Sequence, residues 1–210
     1  MSKKLEGEAP MKRTAKRERG FTLLETVVVI GIMFTLMGIA IVQSFGSMES
    51  YQANSAMDIV TSQLRVAREV AITQRRNVQI FIVSNPGTGN PQAINYQILP
   101  APGSTEALGQ LNSEPLPGQV QIALTPTVPD TPMNFGNAAA VYIGNTSGGP
   151  PVMEFTSTGQ FTDGTGFNTI NGTIFLGTPN QIRTARAVTI MGGTGRVRPY
   201  TYIGNNTWNE

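Results

Sequence analysis

Between Leu23 and Val42 the chain runs for twenty residues with a single charge, Glu25. As a helix rising about 1.5 Å per residue, such a stretch crosses the roughly 30 Å of bilayer hydrocarbon. Before it, residues 1–20 hold Lys3, Lys4, Lys12, Arg13, Lys16, Arg17 and Arg19 against Glu6, Glu8 and Glu18, a net charge of +4. Positive charge ahead of a span keeps that side cytoplasmic, so the carboxy-terminal part is expected to face outward. A cleaved secretory signal has an apolar core of about 7–15 residues followed by a small-x-small site. This run is longer, and Ser44-Phe45-Gly46 imitates such a site poorly. A plain anchor accounts for the length and the flanking charge but not for Glu25, because a carboxylate in lipid costs about 2.5–3.5 kcal/mol at a helix centre. Nearer the end of the span the cost is smaller, and the acid still calls for a cation.

Arg19-Gly20-Phe21-Thr22-Leu23-Leu24-Glu25 resembles the processing site of type IV prepilins and pseudopilins. The resemblance implies that a prepilin peptidase cuts between Gly20 and Phe21 and methylates the new amino terminus. It also implies a role for Glu25, which in that family pairs with the terminal amine of a neighbouring subunit as the helix enters a filament. A buried acid needs a cation, and the amine of Phe21 supplies one. Major pilins commonly carry a proline near position 42, where this chain has Val42, so any melting of the helix on assembly would rely on Gly38 and Gly46.

Apolar and small residues then recur at three- and four-residue steps (Met48, Ala56, Ile59, Leu64, Ala67, Val70, Ala71), with Gln63 on the same stripe, while Arg65, Arg68, Glu69 and Arg75 lie largely off it. The pattern predicts one helix over 21–76, its first part in lipid and its second packed on a folded domain; two helices broken at Gly46 are the alternative.

Beyond Asn77 the period shortens. Seven runs, 78–83, 94–99, 119–124, 139–143, 152–156, 172–176 and 185–191, read as strands between turn residues. Residues 85–87, 100–118 and 147–151 read as loops, the second long enough to be functional or mobile. A long helix followed only by strands resembles the GspH/FimT class of minor pilins and pseudopilins. "FTSTGQF" (155–161) is similar to that class's F-x-x-x-G turn, with Gln160 where an arginine is usual, and "RAVTIMGGTGRVR" (186–198) to its carboxy-terminal strand pair. A major pilin's disulfide loop is ruled out by the absence of Cys. The expected fold is α+β: a long amino-terminal transmembrane and amphipathic helix packed on a mostly antiparallel β-sandwich-like domain.

Without Cys or His, the chain has no thiol nucleophile, Ser-His-Asp triad, zinc-thiolate site or imidazole base. No enzyme activity, cofactor or metal is expected. "MGGTGR" (191–196) lacks the Lys-Ser/Thr of a P-loop, and the single acid of Asp163-Gly164-Thr165-Gly166 is too few for calcium.

Removal of residues 1–20 leaves eight Arg, no Lys and ten acids, a net charge of −2. The basic balance therefore belongs to the leader. Residues 77–163 hold five acids and no cation, whereas 164–209 hold Arg183, Arg186, Arg196 and Arg198 and no acid. Arg196 and Arg198, two apart, lie about 6–7 Å from each other along one strand face, near the spacing of successive phosphates. Gly195-Arg196-Val197-Arg198 resembles the DNA-binding motif of FimT-type minor pilins, with Tyr200, Tyr202 and Trp208 following as stacking partners. The plainer reading is a hairpin whose arginines face water or pair with Glu154 or Asp163, and whose aromatics cover the end of the sandwich.

The organisation expected is a leader over 1–20, a membrane and assembly segment over 21–46, an amphipathic extension over 47–76 and a β-rich domain over 77–210. The implied product is a minor pilin or pseudopilin of a type IV pilus or type II secretion filament. It would sit in the inner membrane as a single-pass protein with its carboxy-terminal domain in the periplasm, then move into the filament. Its implied partners are other pilins or pseudopilins, the prepilin peptidase and the inner-membrane assembly platform, with DNA as the alternative that the basic end raises.

Overall fold

The structure is a computed structural model that describes residues 21–85, 90–101, 104, 106–111, 115–144, 152–164 and 168–210. The leader with Gly20, most of the turns at 85–87 and 147–151, and part of 163–166 lie outside the described residues. The chain divides into two compact units, Met1–Ser44 and Phe45–Glu210.

A single helix, α1 (Leu23–Gln74), runs through that division and is helical across Gly46. Within the first unit its stretch Leu23–Ile41 has a mean hydropathy of 2.3 and none of it is buried. In the second unit it presents Ala53, Ala56, Val60, Leu64, Ala67 and Ala71 inward, all essentially inaccessible. Four of those six are alanines, and a stripe so thin lets the sheets approach the helix closely. Met48, expected on this stripe, is instead exposed; Ala53 and Val60 hold the inner positions. The helix ends after Gln74, just before the β-branched run that starts at Val78: Arg75 takes a left-handed φ of 52° and Arg76 N–H returns to Ala71 O at 3.1 Å.

Ten strands follow among the described residues: β1 (Val78–Asn85), β2 (Asn90–Ile98), β3 (Gly109–Leu111), β4 (Val141–Ile143), β5 (Met153–Phe155), β6 (Phe161–Thr162), β7 (Gly172–Leu176), β8 (Arg186–Met191), β9 (Arg196–Gly204) and β10 (Thr207–Asn209). They form two sheets, ordered β3-β2-β1-β5-β6 and β10-β9-β8-β7-β4, and every pairing is antiparallel. One core is shared by α1 and an inner face of each sheet. It takes Val78, Ile80, Ile94, Met153, Phe155 and Phe161 from the first sheet and Ile174, Leu176, Val188, Ile190 and Val197 from the second. A smaller core, with Phe175, Ala187, Tyr200 and Trp208, lies against Val128 of the irregular segment 115–140. Phe175, between Ile174 and Leu176, and Ala187, before Val188, show that the second sheet is covered on both faces, as period-two alternation requires.

The run 119–124 is not a strand. Val120 and Ile122 are buried as its alternation predicts, but only Gln121 makes a bridge, to Gly177, and Ile122 N–H donates to the Gln92 side chain. The stretch expected as a loop, 100–118, contributes β3 and the buried Leu116. Pro199 sits inside β9 without breaking a ladder, since β10 pairs only as far as Thr201 and leaves that flank open.

Candidate functional site

The amino terminus of α1 is built from four residues. Thr22 precedes the first helical residue and its Oγ1 accepts the backbone N–H of Glu25 at 3.2 Å, while Thr22 O accepts from Thr26 N–H at 3.1 Å. Thr22-x-x-Glu25 is the spacing of a capping box, in which the helix positions its third residue as an acid beside its own unpaired N–H groups. The acid also meets the positive end of the helix dipole. This signal was present in the sequence and is independent of charge. Around it Phe21, Leu23, Leu24, Val27 and Val28 are all exposed within the chain, so Glu25 stands on an apolar surface without a side-chain cation of its own unit among the described residues.

At the other end of the chain, the four arginines expected to form one patch are dispersed. Arg186 is 3% exposed. Its Nε donates to Asn54 Oδ1 at 2.8 Å and its Nη1 to the carbonyls of Arg183 (3.0 Å) and Ala185 (2.9 Å). Burial lowers its pKa, yet a guanidinium stays charged inside a protein; Arg186 fastens α1 to β8 and is withdrawn from any surface patch. Arg183 is exposed in a short 3-10 turn, Ile182–Thr184, that precedes β8. Arg196 is exposed after β8 has ended, and six strand residues, about 20 Å, separate the two. Arg198 shares a face of β9 with Arg196, Val197 between them being in the core, but its Nη1 pairs with Glu210 Oε2 at 3.2 Å. That acid lies one residue beyond the 164–209 window.

The aromatic residues are likewise committed to packing. Tyr200 and Trp208 are buried; Trp208 Nε1 donates to the carbonyls of Pro129 (3.2 Å) and Asp130 (3.1 Å), and Tyr202 meets the Trp208 ring edge-on at 5.3 Å. They cover the end of the sheet rather than offering stacking platforms. Glu154, named as a partner for the arginines, is interior and bonded to Asn77.

Arg68, which sequence reasoning placed only on the outer side of the helix, joins the two turns that carry the family-like motifs. Its Nε donates to Gly159 O at 3.1 Å, and Gly195, at φ 62°, lies so close that a Cβ there would fall on the Gly159 carbonyl and against the Arg68 guanidinium. Only glycine fits at that approach. Arg196 therefore starts β9 from a turn held between Gly159 and the helix.

Residues 15–41 match the family model described as the prokaryotic N-terminal methylation motif. The match spans the basic approach, Gly20-Phe21, the capping box and the apolar helix. The amino-terminal part of the chain therefore carries the methylation motif of prepilin-type proteins. No curated protein matches it. Two crystal structures of the type IV minor pilin FimU from Pseudomonas aeruginosa (strain PAO1) align with this chain at 16% identity, over 70% of its length and 87% and 90% of theirs, with TM-scores of 0.41 and 0.38.

One buried acid of the chain lies away from both termini. Glu154, in β5, accepts from Asn77 Nδ2, and Asn77 Oδ1 accepts Ser157 N–H at 3.1 Å, so the residue just after α1 ties down the β5–β6 turn. Burial raises the Glu154 pKa, the Asn77 bond opposes the rise and nearby Asp163 adds to it. An acid whose pKa is raised by folding stabilises the native state below its ordinary range, and that contribution is lost as pH climbs through the raised value. Thermal unfolding of the full chain in detergent should show the wild type losing stability from about pH 4.5 upward, whereas Glu154→Gln, which keeps the acceptor for Asn77, should lack that slope and melt higher at pH 7. Equal slopes would show that Glu154 is not titrating in the fold.

Proposed function

We propose that this protein is a minor pilin or pseudopilin, a structural subunit of a type IV pilus or type II secretion filament. Processing at Gly20-Phe21 frees the amine of Phe21, and Glu25 of one subunit then pairs with the amine of its neighbour as the helix leaves the lipid for the bundle. The observation that carries this reading is Glu25, held by the Thr22 cap at the head of an apolar helix that the rest of its unit leaves uncovered. Gly31 and Gly38 add room for close helix approach, since a Cβ at either would meet nothing within 4 Å. The leader's positive charge sets the orientation, with the β domain in the periplasm.

Co-expression with a prepilin peptidase tests the processing step by intact mass and amino-terminal sequencing. The expected product begins at N-methylated Phe21, and Gly20→Glu should remain full length. A chain that keeps residues 1–20 in the presence of active peptidase would overturn the reading.

DNA capture is a second reading, favoured by one observation: Arg196 and Arg198 share a strand face with Val197 buried behind them. It now rests on two arginines, since Arg186 is internal and Arg183 lies at the other end of β8. If duplex DNA binds there, Arg196→Gln/Arg198→Gln should weaken binding and lower the slope of log K against log salt by about two, with the fold unchanged. A slope unaltered by the double substitution would remove DNA from the account.

A further inference from the structure

The end of the β domain that holds the 3-10 turn is fastened to the part of α1 that begins the second unit. Gln181 Nε2 donates to Glu49 Oε1 at 3.0 Å, and Arg186 reaches Asn54 as described. Tyr202 N–H donates to Ala185 O at 3.2 Å, bringing β9 over the turn, and the residue after Tyr202 is Ile203. This end leaves large apolar side chains in solvent: Ile182 is 41% exposed, Ile203 63%, Met48 58% and Tyr51 70%, and Arg183, next to Ile182 in the 3-10 turn, is exposed as well. None of these side chains is needed by the core.

Glu49 follows Ile41, the last residue of the apolar span, by eight positions. Eight residues reach at most about 29 Å, so the chain confines this end of the domain close to the surface of whatever bilayer the span occupies. Confinement raises the effective concentration of the surface, and a contact too weak to hold a free protein suffices for a tethered one. The residue types suit that surface: tyrosine sits at headgroup level, a long cation reaches lipid phosphates, and isoleucine enters the acyl boundary.

We propose that this end of the domain docks on the phospholipid surface of the outward leaflet while the subunit waits in the membrane, with Ile182 and Ile203 entering the headgroup layer and Arg183 pairing with lipid phosphates. The inference rests on the membrane placement proposed above. Extraction into a filament would have to break this contact, which makes it a brake on release.

Because the chain has no Cys, single cysteines make unique labelling sites. The full chain is reconstituted in phosphatidylglycerol-containing vesicles with an environment-sensitive fluorophore at Ile203→Cys or, at the far end of β8, at Gly193→Cys, where a side chain meets nothing within 4 Å. A headgroup-borne quencher should quench the label at 203 several-fold more than the label at 193. Adding Arg183→Gln should cut docking about fivefold, the effect of one cation near an anionic surface. Equal quenching at the two positions in an alkali-resistant, inserted protein would overturn the docking and leave the membrane placement standing. Alkaline extraction of the chain would overturn the placement itself. Quenching at 203 that disappears on dilution in lipid would overturn the proposal in favour of contact between copies.

Discussion

Glu25→Ala is expected to leave membrane insertion and peptidase cleavage intact and to abolish incorporation into the filament. The carboxylate is the one charged side chain of the apolar stretch Leu23–Ile41, and the Thr22 cap holds it at the helix start. In lipid the acid is costly; opposite an amine in a bundle, the same charge becomes half of an ion pair, and removing one member of such a pair costs about 3–5 kcal/mol. Alanine also relieves the cost in lipid, so the variant gains in the membrane what it loses in the filament. Fractionation of sheared filaments from membranes reads the result directly. Glu25→Gln separates charge from hydrogen bonding: it should retain the cap spacing and still fail to incorporate. Normal recovery of Glu25→Ala in filaments would sink the pairing.

The largest loss of stability is expected from Phe161→Ala. Phe161 is wholly buried, its ring 5.3 Å from that of Phe155, in the core shared by α1 and both sheets. Its backbone also joins the sheets: Phe161 N–H donates to Gly192 O at 2.9 Å and its carbonyl accepts Ile170 N–H at 3.1 Å. Truncation leaves a phenyl-sized cavity and should cost about 3–5 kcal/mol, a large share of the roughly 5–15 kcal/mol that holds a domain together. The melting temperature of the full chain should fall by about 10 °C or more, followed by near-ultraviolet circular dichroism at Trp208. Phe161→Leu should lose distinctly less. A melting temperature unmoved by Phe161→Ala would mean that the two sheets do not depend on this contact.

The helix was legible to within two residues at each end, because an unbroken apolar run and a three-four stripe leave little freedom. The strand 172–176 was read without error since its centre, Thr173-Ile174-Phe175, is β-branched or aromatic and turn residues bound it. Run 119–124 misled because alternation reports burial of alternate side chains, and Val120 and Ile122 achieve that against the core without a ladder. Strands β3 and β6, three and two residues long, are too short to show a period. The basic end failed for a topological reason. Arg183, Arg186, Arg196 and Arg198 are close in sequence, but an antiparallel hairpin sends its two ends apart, one face inward, and brings Glu210 back to Arg198. Arg68 was invisible as a site residue because its partner, Gly159, lies 91 positions away.

The proposed role of this chain as a processed filament subunit is tested most directly by mass spectrometry of sheared filaments beside the membranes they came from. The account predicts peptides of this chain in the filament fraction, the first of them beginning at N-methylated Phe21. Chains found only in the membrane, with residues 1–20 still attached while the major subunit assembles, would contradict it.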